Sequence, residues 1–132
     1  MAARAALVIN DRAATPVAHT YSPDGSDPNG VHVFTEKTGV PAGYPRFTAQ
    51  IRRTNGKYRP SLRLQVPVVQ TQTVNGVASP VVVRTAYVEL SATFDSLSTD
   101  QERKDAIGLM ANALASSQTM VNDLLVNLSD IY

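Results

Sequence analysis

Three stretches in the middle of the chain alternate between residues that can bind and residues that can only pack. Thr48, Gln50 and Arg52 interleave with Phe47, Ala49 and Ile51. Ser61, Arg63 and Gln65 interleave with Leu62, Leu64 and Val66; Tyr87, Glu89 and Ser91 interleave with Ala86, Val88 and Leu90. A period of two sends each set to its own face of a strand. Should the three strands be neighbours, hydroxyls, amides, two guanidinium forks and one aromatic plate share a flat platform. Unstacked RNA is read by such a surface: bases lie on aromatic rings, polar side chains meet base edges, and Arg holds phosphates. Arg63 could grip a phosphate or a base edge bidentately, and Tyr87 could stack a base. An ordinary solvated sheet face uses the same residue types, so parity alone leaves both readings open.

Charge leaves the same two readings open. Residues 1–43 sum to −1, residues 44–90 to +6 and residues 91–132 to −4. Glu89 is the only acid in the basic middle. A basic surface of this kind suits an anionic partner.

Catalytic readings find little support. The two histidines, His19 and His32, sit on separate early segments and read as surface strand residues. No His/Asp/Glu spacing resembles a metal site, and no phosphate-binding loop or nucleophile elbow occurs. Glu89 has no carboxylate or His partner at local spacing, so it fits a structural or specificity role better than general-base work. No enzyme activity, cofactor or metal is expected. With 132 residues, 43% apolar and 17% charged, the chain reads as one globular domain over 1–132. It has no cysteine, hence no disulfide framework. No apolar run approaches the roughly 20 residues of a membrane span, and no signal peptide is evident, so a soluble cytoplasmic product is expected.

The platform needs elements to hold it. Residues 5–9 read as a strand, with Val17 to Tyr21 as its hairpin partner. Residues 22–30 and 36–46 read as loops from their Gly, Pro and Asp, and Val31 to Thr35 as a strand between them. Asn55-Gly56 signals a hairpin joining the first two platform strands. Pro60 should mark the start of the second. The uncharged stretch Gln70 to Pro80 contains a second turn signal at Asn75-Gly76, and Val81 to Phe94 reads as the longest strand. After Asp95 the period changes to 3.6. Thr99-Asp100-Gln101-Glu102 fits a capping box. Ile107, Met110 and Leu114 form a helical stripe, Ser116-Ser117 a break, and Met120, Val121, Leu124, Leu125 and Leu128 the apolar side of a second helix. Strands followed by helices predict an α+β fold with an antiparallel sheet, its apolar face covered by the helices.

The order of these segments resembles the coat proteins of single-stranded RNA bacteriophages, the leviviruses, over nearly the full length. The carrying residues are Asn29-Gly30-Val31, Gly39-Val40-Pro41-Ala42, and the run from Val66-Pro67 through Gln70-Thr71-Gln72-Thr73 and Asn75-Gly76 to Pro80. Arg84-Thr85-Ala86-Tyr87, Ser98 to Arg103 and Ile131-Tyr132 complete the set. The resemblance implies an N-terminal β-hairpin, a five-stranded antiparallel sheet and two C-terminal helices. It implies an interlocked homodimer in which each subunit's helices cover its partner's sheet. Dimers would build an icosahedral shell, with Gln70–Pro80 as the loop that gathers at symmetry axes. Shells of this kind assemble in the bacterial host cytoplasm and become the virion capsid.

Its implied partners are the chain itself, the viral genomic RNA including a stem-loop, and the phage maturation protein; no membrane is involved. Binding the stem-loop at the replicase start would repress replicase translation. Residues carried over for RNA binding are Val31, Thr48, Gln50, Arg52, Ser61, Arg63, Tyr87 and Glu89. Gln50 is longer than the small hydroxyl residue usual in relatives, and Glu89 is an anion facing RNA, so a different hairpin specificity is expected. A shell that packages RNA through charge alone, and a free RNA-binding regulator, are the competing readings. Removal of the initiator Met1 would be permitted by the small Ala2.

Overall fold

The computed structural model describes residues 3–132, so Met1 and its removal lie outside the described residues. The chain forms two compact units, residues 1–93 and 94–132.

The first unit is an antiparallel sheet in which every strand pairs with its neighbour in sequence. β1 (Leu7–Asn10), β2 (Ala18–Ser26), β3 (His32–Thr35), β4 (Arg46–Thr54), β5 (Lys57–Val74) and β6 (Val77–Ser91) follow one another in that order across it. Hairpin connections need no crossover, which is why chain order and spatial order coincide. The expected hairpin of β1 and β2 is present, with Leu7 opposite Tyr21 and Asn10 opposite Ala18. It is not separate from the sheet: β2 continues past Tyr21 to Ser26 and pairs with β3. Six strands therefore run as one path where a hairpin and five strands were expected. Ser22 to Ser26, read as loop from its Pro, Asp and Gly, is strand, and its pairing with β3 is irregular between Pro23 and Ser26.

Both Asn-Gly signals form two-residue turns. Asn55 and Gly56 have φ of 50° and 72°, and Asn75 and Gly76 have 51° and 80°. Two consecutive positive values are what a type I′ hairpin turn demands, and its twist matches that of the flanking strands. The second turn overturns the expected Gln70–Pro80 loop: β5 and β6 stay paired to Val74 opposite Val77. β5, at 18 residues, is consequently the longest strand rather than β6. Pro60 lies inside β5, not at its start. Its carbonyl accepts from the Ala92 amide at 3.0 Å, just past the end of β6, so the donor it lacks faces a strand that has already ended.

One irregularity sets the geometry of the longest hairpin. From Val74–Val77 back to Val69–Val82 the paired positions follow the tight turn, but the next pair is Val68 with Arg84. Val83 is the extra residue of a β-bulge. Beside it, the short 3-10 turn Pro41–Gly43 brings Gly43 against Val69; a Cβ at Gly43 would overlap a Val69 methyl.

Tyr21 and Phe34 are buried, and Tyr21 meets Phe47 with ring centroids 6.3 Å apart. The remaining apolar side of the platform strands stays open: Ile51 is 66% and Val88 60% exposed.

The second unit holds β7 (Phe94–Asp95), α1 (Asp100–Ala113) and α2 (Thr119–Leu125). The capping box forms as expected: Thr99 Oγ1 accepts from the Glu102 amide, and Glu102 Oε2 accepts from the Thr99 amide, both at 3.2 Å. Neither helix has a buried residue, so the Ile107, Met110 and Leu114 stripe is solvent-facing in the single chain. No helix among the described residues is long and apolar enough to cross a membrane.

Candidate nucleic-acid interface

The first hairpin pairs Thr48 with Arg63, Gln50 with Ser61, Arg52 with Arg59 and Arg46 with Gln65. The second pairs Arg63 with Glu89, Gln65 with Tyr87 and Ser61 with Ser91. Directly opposed residues of antiparallel strands point to the same face. Thr48, Arg63 and Glu89 therefore form one row, Gln50, Ser61 and Ser91 a second, and Arg46, Gln65 and Tyr87 a third. On the β3 side, Val33 lies opposite Thr48. Val31 sits one residue before β3, in a turn closed by Asp27, whose carboxylate accepts from the Val31 amide at 3.0 Å. Continuing the His32–Ala49 register by one residue brings Val31 level with Gln50. Seven of the eight sequence-derived positions, all but Val31, thus lie on paired strands and share one side of the sheet.

The bulge makes this possible. Had β5 and β6 kept the register of their turn, Arg63 would oppose Val88, and Tyr87 and Glu89 would project with the apolar set. One extra residue inverts the faces of everything beyond it.

Tyr87 is 61% exposed, a plate open to solvent. The Arg63 guanidinium carbon sits 5.7 Å from the centre of its ring, within range of a cation–π contact. Arg63 takes this diagonal partner rather than the acid directly across: among the described residues, no ion pair joins it to Glu89. Glu89 therefore stands as an exposed anion on an otherwise basic surface. Gln50 Oε1 is buried without a hydrogen-bond partner. Buried acceptors are rarely left so, and the orphan falls at a position where this sequence differs from the resembled pattern.

Arg59 was absent from the sequence-derived set. It stands directly opposite Arg52, with Thr54 opposite Lys57 one row nearer the turn. Opposed like charges destabilise a strand pair by themselves, so an anion between them relieves a built-in repulsion. The signal was available: a two-residue Asn55-Gly56 turn fixes Arg52 against Arg59. Arg53 and Tyr58 pair on the other face, with the guanidinium 5.1 Å from the ring centre.

Of the two histidines, His32 is an exposed strand residue as expected and His19 departs from expectation. His32 Nδ1 lies 2.7 Å from Ser26 Oγ and 3.2 Å from Arg4 Nη2. His19 is half-buried between two carboxylates, Asp11 and Glu36. Neither belongs to the platform.

Comparison with known proteins assigns the class first. The capsid protein of Pseudomonas phage PRR1 is 48% identical over 127 residues, covering 96% of each chain. A virus-like particle of bacteriophage ESE058 superposes with a TM-score of 0.89 at 26% identity, covering 99% of this chain and 100% of that one. A virus-like particle of Beihai levi-like virus 21 gives 0.79 at 30% identity over 99% of each. Both particle structures share this α+β fold. The levivirus coat protein family model matches residues 2–132, and the chain belongs to that family. It is a structural capsid protein and a component of the virion, not an enzyme.

Proposed function

We propose that residues 1–132 act as one coat domain that dimerises, assembles into an icosahedral shell around the phage RNA, and binds an RNA hairpin on the polar sheet face. Hairpin binding at the replicase start would repress replicase translation. The carrying observation is the single face shared by Thr48, Gln50, Ser61, Arg63 and Tyr87, with Tyr87 exposed and Arg63 unpaired by Glu89. Dimerisation is supported by two sets of uncovered apolar residues: Ile51 and Val88 on the sheet, and Ile107, Met110 and Leu114 on α1. Helices of one copy laid on the sheet of another would bury both. Genomic RNA and the phage maturation protein are the further partners of this reading.

A second reading has its own support. Arg52, Arg53, Lys57 and Arg59 cluster at the β4–β5 turn, and such a cluster binds any phosphate backbone. The two are separated by competing a hairpin library against bulk RNA. Selective capture, relaxed by Arg63→Ala, supports operator binding. Uniform binding with a steep salt slope leaves packaging by charge. Expression of the chain alone followed by electron microscopy tests the shell: RNA-filled particles support it, and small dimers under all conditions overturn it.

A further inference from the structure

His19, on β2, is gripped at both ends of its ring. Nε2 lies 2.9 Å from Asp11 Oδ2, and Nδ1 lies 2.9 Å from Glu36 Oε2 and 3.0 Å from Oε1. A neutral imidazole has one N–H and one bare lone pair. It can donate to only one of these carboxylates and must turn its lone pair on the other. The arrangement is complete only when both nitrogens carry protons.

The two carboxylates come from different parts of the sheet unit. Asp11 organises the β1–β2 connection: its Oδ1 accepts from the amides of Ala13 at 3.1 Å and Val17 at 3.0 Å. Glu36 follows β3, is itself buried, and its amide donates to the Pro45 carbonyl at 3.0 Å. His19 thereby ties the connecting loop of the first hairpin to the segment between β3 and β4. The cluster borders a cleft of about 380 Å³ walled by Ile9, Tyr21, Pro45, Leu64 and Val66. β5 presents only Leu64 and Val66 to it, and Tyr21 adds a phenol from the same strand as His19. Arg12 and Lys37 adjoin the two carboxylates in sequence, and Lys37 is 3.7 Å from Asp24.

We propose that His19 is a proton-operated clasp that fastens the β1–β2 hairpin to the rest of the sheet, closed when the imidazole is doubly protonated and released when it loses a proton. The hydrogen bonds to Asp11 and then Glu36 raise the imidazole above its ordinary value of 6.5. Asp11 is lowered to about 2, first by the Val17 amide and then by His19. The signs fix the window. The histidine contribution is fully present below 6.5 and is lost as pH rises through the raised value; the aspartate contribution is present above 3.8 and is lost as pH falls through about 2. The clasp is therefore shut in mild acid and opens on the alkaline side.

The test is amide hydrogen exchange by mass spectrometry on the full-length protein, from about pH 5.5 to 9, with rates corrected for intrinsic exchange. Peptides from β1 and β2 should lose about tenfold of their protection as pH rises through the transition, while peptides from β4 keep theirs. His19→Gln, which cannot donate at both ends, should give low and pH-independent hairpin protection. Glu36→Gln removes one of the two charges and should move the transition to lower pH with the histidine intact. Flat hairpin protection in the wild-type protein, or a Glu36→Gln transition at the wild-type pH, would overturn the clasp.

Discussion

The β5–β6 ribbon is one continuous hairpin with two chemically different halves, divided by the bulge at Val83. Below it, Arg59, Arg63, Arg84 and Glu89 are charged and Tyr87 is aromatic. Above it, Val69 to Val82 carries no charge, and Val74 and Val77 are 63% and 66% exposed. Backbone pairing is the same in both halves, so the difference lies entirely in side chains. In the proposed reading the lower half meets an anion. The same reading gives the upper half, long and without charge, to contacts with other protein, since a ribbon left in water is normally protected by charge against edge-to-edge pairing.

The largest effect should come from giving the upper half the chemistry of the lower. Val74→Asp with Val77→Asp places two carboxylates at the tip, opposite each other and already exposed. The opposed carboxylates should loosen the ribbon tip locally, while global thermal unfolding should change little, because nothing buried is disturbed. Particle yield by sedimentation and electron microscopy should collapse, because copies brought together there would repel. Particles in normal yield would show that the tip lies free of copy-to-copy contacts.

The complementary change removes the aromatic plate below the bulge. Tyr87→Ala should weaken hairpin RNA binding by about 1–3 kcal/mol, the range for loss of one base–aromatic stack. Assembly should persist on bulk RNA, because the change leaves every basic residue in place. Filter-binding titrations at fixed salt measure the first effect and electron microscopy the second. Equal loss for every RNA sequence would place Tyr87 among the non-specific contacts.

The division between the halves was only partly legible in the sequence. Strict alternation in β4, β5 and β6 gave the polar and apolar sets, because a half-buried sheet writes its faces into parity. The first hairpin's register was readable in full from Asn55-Gly56, and it also supplies Arg59. The second was not. Counting back from Asn75-Gly76 pairs Arg63 with Val88 and separates Tyr87 from Arg63. The bulge that corrects this has no Gly or Pro to mark it, since Val83 lies within a run of three valines. The Gln70–Pro80 ribbon was hidden for a related reason: Gln, Thr and Ser are common in loops, and strand pairing there is imposed by the turn. The His19 clasp joins residues far apart in sequence, and no local pattern announces it.

A middle-sized effect tests the junction itself. Gly43→Ala would drive a Cβ into Val69, the last residue above the bulge. Valine has one stiff torsion and cannot swing clear cheaply. Overpacking of this kind costs about 1–3 kcal/mol, read as a lower denaturation midpoint. A Gly43→Ala protein as stable as wild type would mean that the ribbon yields at the bulge and that its two halves move independently.

The smallest effect carries the opposite sign and concerns the one acid on the basic half. Glu89 is exposed and has no ion pair among the described residues, although Arg63 stands directly across from it. An anion in that position repels a phosphate chain, with solvent screening much of the force. Glu89→Gln keeps the shape and a hydrogen-bonding carbonyl while removing the charge. Bulk RNA binding should strengthen a few-fold, by about 0.5–1 kcal/mol, the scale of an exposed charge interaction. The gain should shrink as salt is raised. A preferred hairpin need not follow bulk RNA. Where the carboxylate accepts from a base amino group, the neutral amide is a weaker acceptor and selectivity falls as total affinity rises. The ratio of hairpin to bulk affinity in wild type and Glu89→Gln therefore separates the roles: an unchanged ratio makes Glu89 a brake on non-specific binding, and a reduced one makes it a reader of bases.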